Sequence, residues 1–253
     1  MHSTGDLIKD LYNKYFSTNK MVVFKVTNKC NIECEHCREN SGPDRNDLLS
    51  SDHIKKVFDQ IDDSWIITLQ GGEPSLYLDK CKEIIDIAKS KNIQTVFYSN
   101  GWWANNEDMC NKIFNLDTDI IVISINKWTS KIIPIENANT IADKIKDLKQ
   151  TLIYSECYEF NPVSKQYLNN DSFVIEYEID YSGRAKMFTG TRLVRSLCKR
   201  SGFTLETDGE VYGNCCFSSN GCHFGHIDNI NINNFLERRN LGGSIKCLGQ
   251  EKN

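Results

Sequence analysis

Cys30, Cys34 and Cys37 form a C-x3-C-x2-C array directly after the apolar run Met21-Val22-Val23-Phe24-Lys25-Val26-Thr27. Three thiolates on one tight loop can hold three corners of a four-iron four-sulfur cluster and leave the fourth iron open to a ligand. An open iron is a place for chemistry. About forty residues on, Gln70-Gly71-Gly72-Glu73-Pro74 follows a second short apolar run, Trp65 to Leu69. A zinc knuckle could also use a C-x2-C pair, and His36 inside the loop would suit zinc. Zinc sites, however, set two cysteines against a distant second pair of Cys or His, so three close thiolates are an odd number for a closed tetrahedral site.

The elements that must position these residues alternate through the first 180 residues. Strands are expected at Val22 to Thr27, Trp65 to Leu69, Gln94 to Ser99, Ile120 to Ile125, Leu152 to Cys157 and Phe173 to Ile179. Helices are expected near Ser51 to Ile61, Leu78 to Lys91, Asn106 to Phe114 and Asn137 to Lys149. In the second helix Leu78, Cys81, Ile85 and Ala88 recur at helical spacing, as do Ala138, Ile141, Ile145 and Leu148 in the fourth. Continuous apolar strands such as Ile120-Ile121-Val122-Ile123 suit a parallel sheet covered by helices. The fold class is therefore α/β, a partial (β/α)6 TIM-like barrel over residues 1–182, with both motifs just past the carboxyl ends of strands, where such barrels keep their active sites.

After Gly183 the pattern changes to Cys, Gly and hairpin signals. Phe203 to Glu206 and Glu210 to Tyr212 flank the turn Thr207-Asp208-Gly209, and a short helix is expected over Ile232 to Arg239. Residues 183–253 are thus expected to form a small β-hairpin and helix subdomain.

With 253 residues, 40% hydrophobic and 25% charged, the chain is long enough for one barrel-like domain and an appendage. A net charge of -4 and a pI near 5.8 argue against general nucleic-acid binding. No apolar run approaches the roughly 20 residues that span a bilayer, and the polar start lacks a signal-peptide core. No membrane partner is expected, and the expected location is cytoplasmic. Eleven cysteines, an odd number, do not make a simple disulfide framework in that compartment and call for metal or reactive roles. Cys81 and Cys110, each inside a helical pattern, are expected to be small buried hydrophobes.

Together, the cysteine loop and the Gly-Gly-Glu-Pro segment at the end of the second strand resemble the radical SAM superfamily. The resemblance implies a [4Fe-4S] cluster held by Cys30, Cys34 and Cys37, whose open iron binds the methionine part of S-adenosylmethionine. Reductive cleavage then gives a 5′-deoxyadenosyl radical that takes a hydrogen atom from substrate. His36 stands where the family usually has an aromatic residue beside the adenine. Gly71 and Gly72 would let backbone carbonyls approach the methionine ammonium. Gln70 resembles a position that contacts the methionine carboxylate, and Ser99, Asn100 and Ser124 resemble positions that reach the ribose or carboxylate. Glu73 either joins this set or only ties its loop together. A flavodoxin- or ferredoxin-type electron donor is implied as a partner.

Cys198, Cys215, Cys216 and Cys222, with Phe224-Gly225-His226-Ile227, resemble the twitch or SPASM appendage of many such enzymes. That resemblance implies one auxiliary iron-sulfur cluster with Cys198, Cys215, Cys222 and Cys247 as ligands. Cys216 is then left as a catalytic thiol able to donate a hydrogen atom, as in radical SAM peptide epimerases. The reverse assignment of Cys215 and Cys216 stays open, as does a zinc site built from Cys222, His223, His226 and other cysteines. The cationic stretch of Arg184, Lys186, Arg192, Arg195, Lys199 and Arg200 is either a solvated face or a surface for an acidic leader peptide, and Arg184 could also reach the site. The expected activity is radical modification of a precursor peptide, with epimerisation the first candidate. Radical chemistry on a small molecule or nucleoside, and a non-catalytic metal-binding or redox-sensing module, are the alternatives. Oligomeric state has no signature in the sequence.

Overall fold

The computed structural model describes residues 20–158, 168, 174–178, 184, 202–213 and 223–232. Nine strands form one sheet: β1 (Met21–Thr27), β2 (Ile66–Gly71), β3 (Gln94–Ser99), β4 (Ile120–Ile125), β5 (Thr151–Tyr158), β6 (Val174–Glu178), β7 (Gly202–Leu205), β8 (Glu210–Gly213) and β9 (His223–His226). Their order is β6-β5-β4-β3-β2-β1-β7-β8-β9. The first seven are mutually parallel and β8 and β9 add an antiparallel hairpin edge. This is the parallel-dominated α/β sheet expected for a partial barrel. One feature differs from a free-standing appendage: β7 lies parallel against the other edge of β1, Met21 opposite Gly202 through Phe24 opposite Leu205, and so continues the barrel sheet.

Four α-helices cover the described sheet: α1 (Ser51–Phe58), α2 (Leu78–Ser90), α3 (Glu107–Phe114) and α4 (Glu136–Ile145). Side-chain caps start two of them, with Ser50 accepting from the His53 amide and Asn106 from the Met109 amide. Pro74–Tyr77 forms a 3-10 turn into α2, capped by the Glu73 carboxylate. Helix α4 stops at Ile145, four residues earlier than the periodicity predicts, and Leu148 beyond it is 42% exposed rather than packed. The expected helix over Ile232 to Arg239 lies almost wholly outside the described residues.

Alternation along the strands sorts the core into two layers. Val22, Phe24 and Val26 of β1, Ile67 and Leu69 of β2, and Ile121 and Ile123 of β4 point outward onto buried faces of the helices, including Ile54, Val57, Cys81, Ile85, Cys110 and Ile141. Cys81 and Cys110 are thus buried packing residues, as expected. The opposite face is apolar low down, where Ile66, Val96, Ile120, Val122 and Ile153 pack together. Higher up, two residues on along each strand, it carries polar groups. The sheet interior therefore has an oily floor and a polar top. Phe97→Ala, which empties a fully buried position of the outer layer, is expected to cost about 3–5 kcal/mol, read as a lower urea midpoint.

Candidate active site

At the carboxyl ends of the strands lies a cavity of about 190 Å³ lined by Lys25, Gln70, Tyr98, Ser124, Ser155, Cys157 and Thr204 from the sheet and by Cys30, Cys34, His36 and Cys37 from the loop after β1. Gly71, Gly72, Glu73, Ser99 and Asn100 complete its wall. The structure thus brings together every site residue expected from the barrel part of the sequence. Cys198, Cys215, Cys216, Cys222 and Cys247, and with them the expected auxiliary cluster, lie outside the described residues.

The two motifs interlock through their backbones. The Gly72 amide donates to the Thr27 carbonyl at 2.7 Å and the Glu73 amide to the Lys29 carbonyl at 2.8 Å. A Cβ on Gly71 would stand 2.2 Å from the Thr27 oxygen, and one on Gly72 2.0 Å from the Lys29 oxygen. The glycines are required by the base of the cysteine loop itself. Gly71 also has φ +128, a conformation costly for any other residue.

Glu73 is buried and fully engaged. It accepts from the Ser75 amide and hydroxyl, the Ser99 hydroxyl at 2.8 Å and the Asn100 amide at 2.8 Å. Burial raises its pKa, and these hydrogen bonds oppose the rise. Ser99 in turn accepts from the Gly101 amide and the Trp103 indole. Glu73 and Ser99 therefore join the loop after β2 to the loop after β3. Asn100 reaches the other way, donating to Asn31 at 2.9 Å in the cysteine loop.

Burial pushes the Cys30 thiol up to about 12 and the Cys34 thiol up to about 11. Such sulfurs become thiolates when a metal compensates their charge. Among the described residues, the one trio of His, Cys, Asp or Glu ligand atoms within 4.8 Å of one another lies elsewhere, at His53, His226 and Asp228. The three loop thiols are not gathered into such a group. Three thiols lining one cavity, one buried and two half-buried, fit a cluster. His36 stacks on Trp128 with ring centroids 4.5 Å apart, and its Nδ1 is buried without a hydrogen-bond partner. Burial, helped by Arg184 and Arg38, lowers its pKa to about 4, so the ring is neutral at pH 7.

Arg184, which also lines the cavity, braces the loop. Its Nε donates to the Cys34 carbonyl at 2.9 Å, its other nitrogens reach the Ser41 carbonyl and the Asn40 side chain, and its amide donates to the Cys37 carbonyl at 2.9 Å. Beneath the loop, Lys25 pairs with Glu39 at 2.5 Å and with Glu206 at 2.7 Å. Burial disfavours the Lys25 ammonium, but the two carboxylates outweigh it and its pKa rises. Neither the triad nor Thr129, whose hydroxyl lies 3.8 Å from the Cys34 sulfur, stood out in the sequence. A lysine inside an apolar strand was the available signal.

A family model described as Radical SAM superfamily matches residues 24–153, half of the chain, from β1 through β5. The chain belongs to the radical SAM superfamily. That membership implies a [4Fe-4S] cluster and S-adenosylmethionine, and the donor set described above fits them. The chain is 26% identical over 110 residues to YydG of Bacillus subtilis (strain 168), a protein named for peptide biosynthesis, covering 42% of this chain and 34% of YydG. It is 24% identical over 164 residues to the 7-carboxy-7-deazaguanine synthase of Methanocaldococcus jannaschii, covering 57% and 65%. It is also 28% identical over 88 residues to the B. subtilis subtilosin biosynthesis protein AlbA, covering 34% and 19%. This chain thus spans less than two thirds of each relative. Among solved structures, Streptococcus suis SuiB bound to its precursor peptide SuiA superposes with TM-score 0.63 at 11% identity, covering 92% of this chain and 69% of SuiB. Native anSMEcpe with bound AdoMet and Cp18Cys peptide gives 0.62 at 15% identity, covering 86% and 80%. At these identities the likeness is one of fold. No helix among the described residues is long and apolar enough to cross a membrane.

Arg184→Ala removes charge-assisted bonds to loop carbonyls, a loss of about 1.5–3 kcal/mol each. It is expected to speed the release of iron to a chelator by at least about tenfold under anaerobic conditions. Gly72→Ala cannot seat its methyl against Lys29 and is expected to abolish iron incorporation.

Proposed function

We propose that this radical SAM protein is a peptide-modifying enzyme that abstracts a hydrogen atom from a ribosomally made precursor, with epimerisation as the specific outcome. When bound, the cluster and S-adenosylmethionine supply a one-electron cleavage that yields a hydrogen-abstracting radical. Cys30, Cys34 and Cys37 are the proposed cluster ligands. The Gly71-Gly72 backbone and Gln70 are proposed to receive the methionine end, and His36, Ser124 and Asn100 the nucleoside end. Glu73 and Ser99 are proposed to act as positioning residues, since their hydrogen bonds are already spent within the chain. The polar top of the sheet, from Tyr98 to Thr204, is then where substrate meets the radical.

The single observation that carries this reading is the set of three thiols, one buried and two half-buried, lining a cavity whose polar residues alternate with the outer core. The peptide as substrate rests on YydG and AlbA, both named for peptide products, and on SuiB and anSMEcpe, both solved with a peptide. The auxiliary cluster on Cys198, Cys215, Cys222 and Cys247, the hydrogen-donating thiol of Cys216 and a flavodoxin- or ferredoxin-type donor belong to the same proposal and rest on the sequence. A second reading, radical chemistry on a small heterocycle, is favoured by the synthase relative, which matches a larger share of this chain than YydG does.

Anaerobically reconstituted protein given S-adenosylmethionine and dithionite is expected to form 5′-deoxyadenosine, and the Cys30→Ala, Cys34→Ala, Cys37→Ala triple variant to form none. Candidate precursor peptides encoded beside the gene are expected to raise that yield and, in deuterated water, to gain one mass unit per turnover. Stimulation by a small heterocycle instead of any peptide overturns the peptide reading, and an unlabelled, cross-linked or methylated peptide overturns epimerisation. Cys216→Ala is expected to keep all iron while blocking product formation; loss of iron would make it a ligand.

A further inference from the structure

His53 on α1 and His226 at the end of β9 come from distant parts of the chain, yet their rings meet edge to face with centroids 5.0 Å apart. Asp228 completes a trio whose ligand atoms all lie within 4.8 Å of one another. This cluster is separate from the cavity residues, and the chemistry above makes no use of it.

The surroundings of the trio are those of a ligand set. His226 Nε2 lies 2.9 Å from the Asp208 carbonyl, which can only accept, so Nε2 carries the ring proton. The Asp228 amide donates to His226 Nδ1 at 3.3 Å, which requires a lone pair there. Asp228 Oδ2 lies 3.4 Å from the same nitrogen. A cation bound there would take over the Nδ1 lone pair from the long amide contact and be met by the carboxylate oxygen. The other carboxylate oxygen, Oδ1, is held by the Lys56 ammonium. His53 Nδ1 is buried with no hydrogen-bond partner. Metal-bound histidines commonly donate their second nitrogen to a carbonyl, and metal-bound carboxylates are commonly held by a further hydrogen bond; His226 and Asp228 show both.

Gly209 clears the space. It sits in the β7–β8 turn at φ +89, and a Cβ there would stand 2.4 Å from His226 Nε2 and 2.6 Å from His53 Cε1. His223, the neighbouring imidazole that the sequence offered for a zinc site, is instead paired with Glu210.

We propose that His53, His226 and Asp228 bind one divalent transition-metal ion of the zinc class, fastening α1 to the edge hairpin of β8 and β9. Two imidazoles and a carboxylate suit such an ion, whose tetrahedral N and O ligands lie about 3.4 Å apart. Rotation of exposed and half-buried side chains closes the trio from its present spacing. The fourth position is left to water.

The test uses the full chain without a histidine tag, reconstituted anaerobically with iron and sulfide, equilibrated with Zn2+ and passed over a weak chelator. One zinc per chain is expected to remain, with a zinc-edge absorption spectrum showing only N and O neighbours at about 2.0–2.1 Å. His53→Gln and His226→Gln are each expected to weaken zinc retention at least tenfold at unchanged iron content. Asp228→Asn, at an exposed position that leaves the core intact, is expected to weaken it about tenfold. The proposal is overturned if wild type retains no zinc, if Asp228→Asn retains it as well as wild type, or if the spectrum shows sulfur at about 2.3 Å, which would place the ion on cysteines.

Discussion

Two backbone hydrogen bonds, from Gly72 to Thr27 and from Glu73 to Lys29, are the constraint on which the site depends. They fuse the end of β1 to the end of β2 at a separation that only glycine permits. The three thiols hang from the first strand and the Gly-Gly wall from the second, so their relative placement is set by main chain rather than by side-chain rotamers. The rest of the loop is tied back to the same frame. The Cys30 amide donates to Gly42, Gly42 donates to Asn28, and Asp47 receives both the Asn28 amide and its side chain. A loop with so many internal bonds loses little entropy when it takes up a cluster, because most of its ordering is already done.

Below this frame the sheet interior changes character over two residues of each strand. Ile66, Val96, Val122 and Ile153 close the floor, and Thr68, Gln70, Tyr98, Ser124 and Ser155 carry on the same face toward the top. The Lys25 triad sits at that boundary. Its three charges are almost wholly removed from water, which would be costly for any one of them alone. Placing the cation between two carboxylates leaves one net negative charge under the cysteine loop. It also joins β1, the loop after it and the residue just past β7 into one electrostatic unit.

Much of this was legible in the sequence, and for a physical reason. Buried parallel strands are rich in apolar and β-branched residues, and Ile120 to Ile125 and Gln94 to Ser99 were bounded to the residue. Cys81 and Cys110 declared themselves by helical spacing. Leu148 misled, because an apolar residue in phase with a helix is no evidence that the helix still continues. Strand β9 was missed, since His223-Phe224-Gly225-His226 has neither apolar alternation nor β-branched residues, and Gly225 adopts φ +110. Arg184 was set apart among six cations as one that could reach the site, and it does line the cavity, but its bracing of the loop was not foreseen. Its partners are mostly backbone carbonyls far away in the chain, and a carbonyl leaves no trace in residue type. Glu73 was identified, but whether it faced inward or tied loops together could be seen only once Ser75, Ser99 and Asn100 were around it.

The position of β1 has a consequence for how the chain assembles. As the strand that carries the thiols it has β2 on one side, close in sequence, and β7 on the other, which begins at residue 202. A nascent chain can pair β1 with β2 early, but the second flank stays bare until β7, about 180 residues further along the chain, has been made. Such long-range parallel pairing is slow, and an uncovered strand edge invites pairing with other chains. The strand that carries the thiols is therefore sealed late on one side, and that interval is the one most exposed to misassembly.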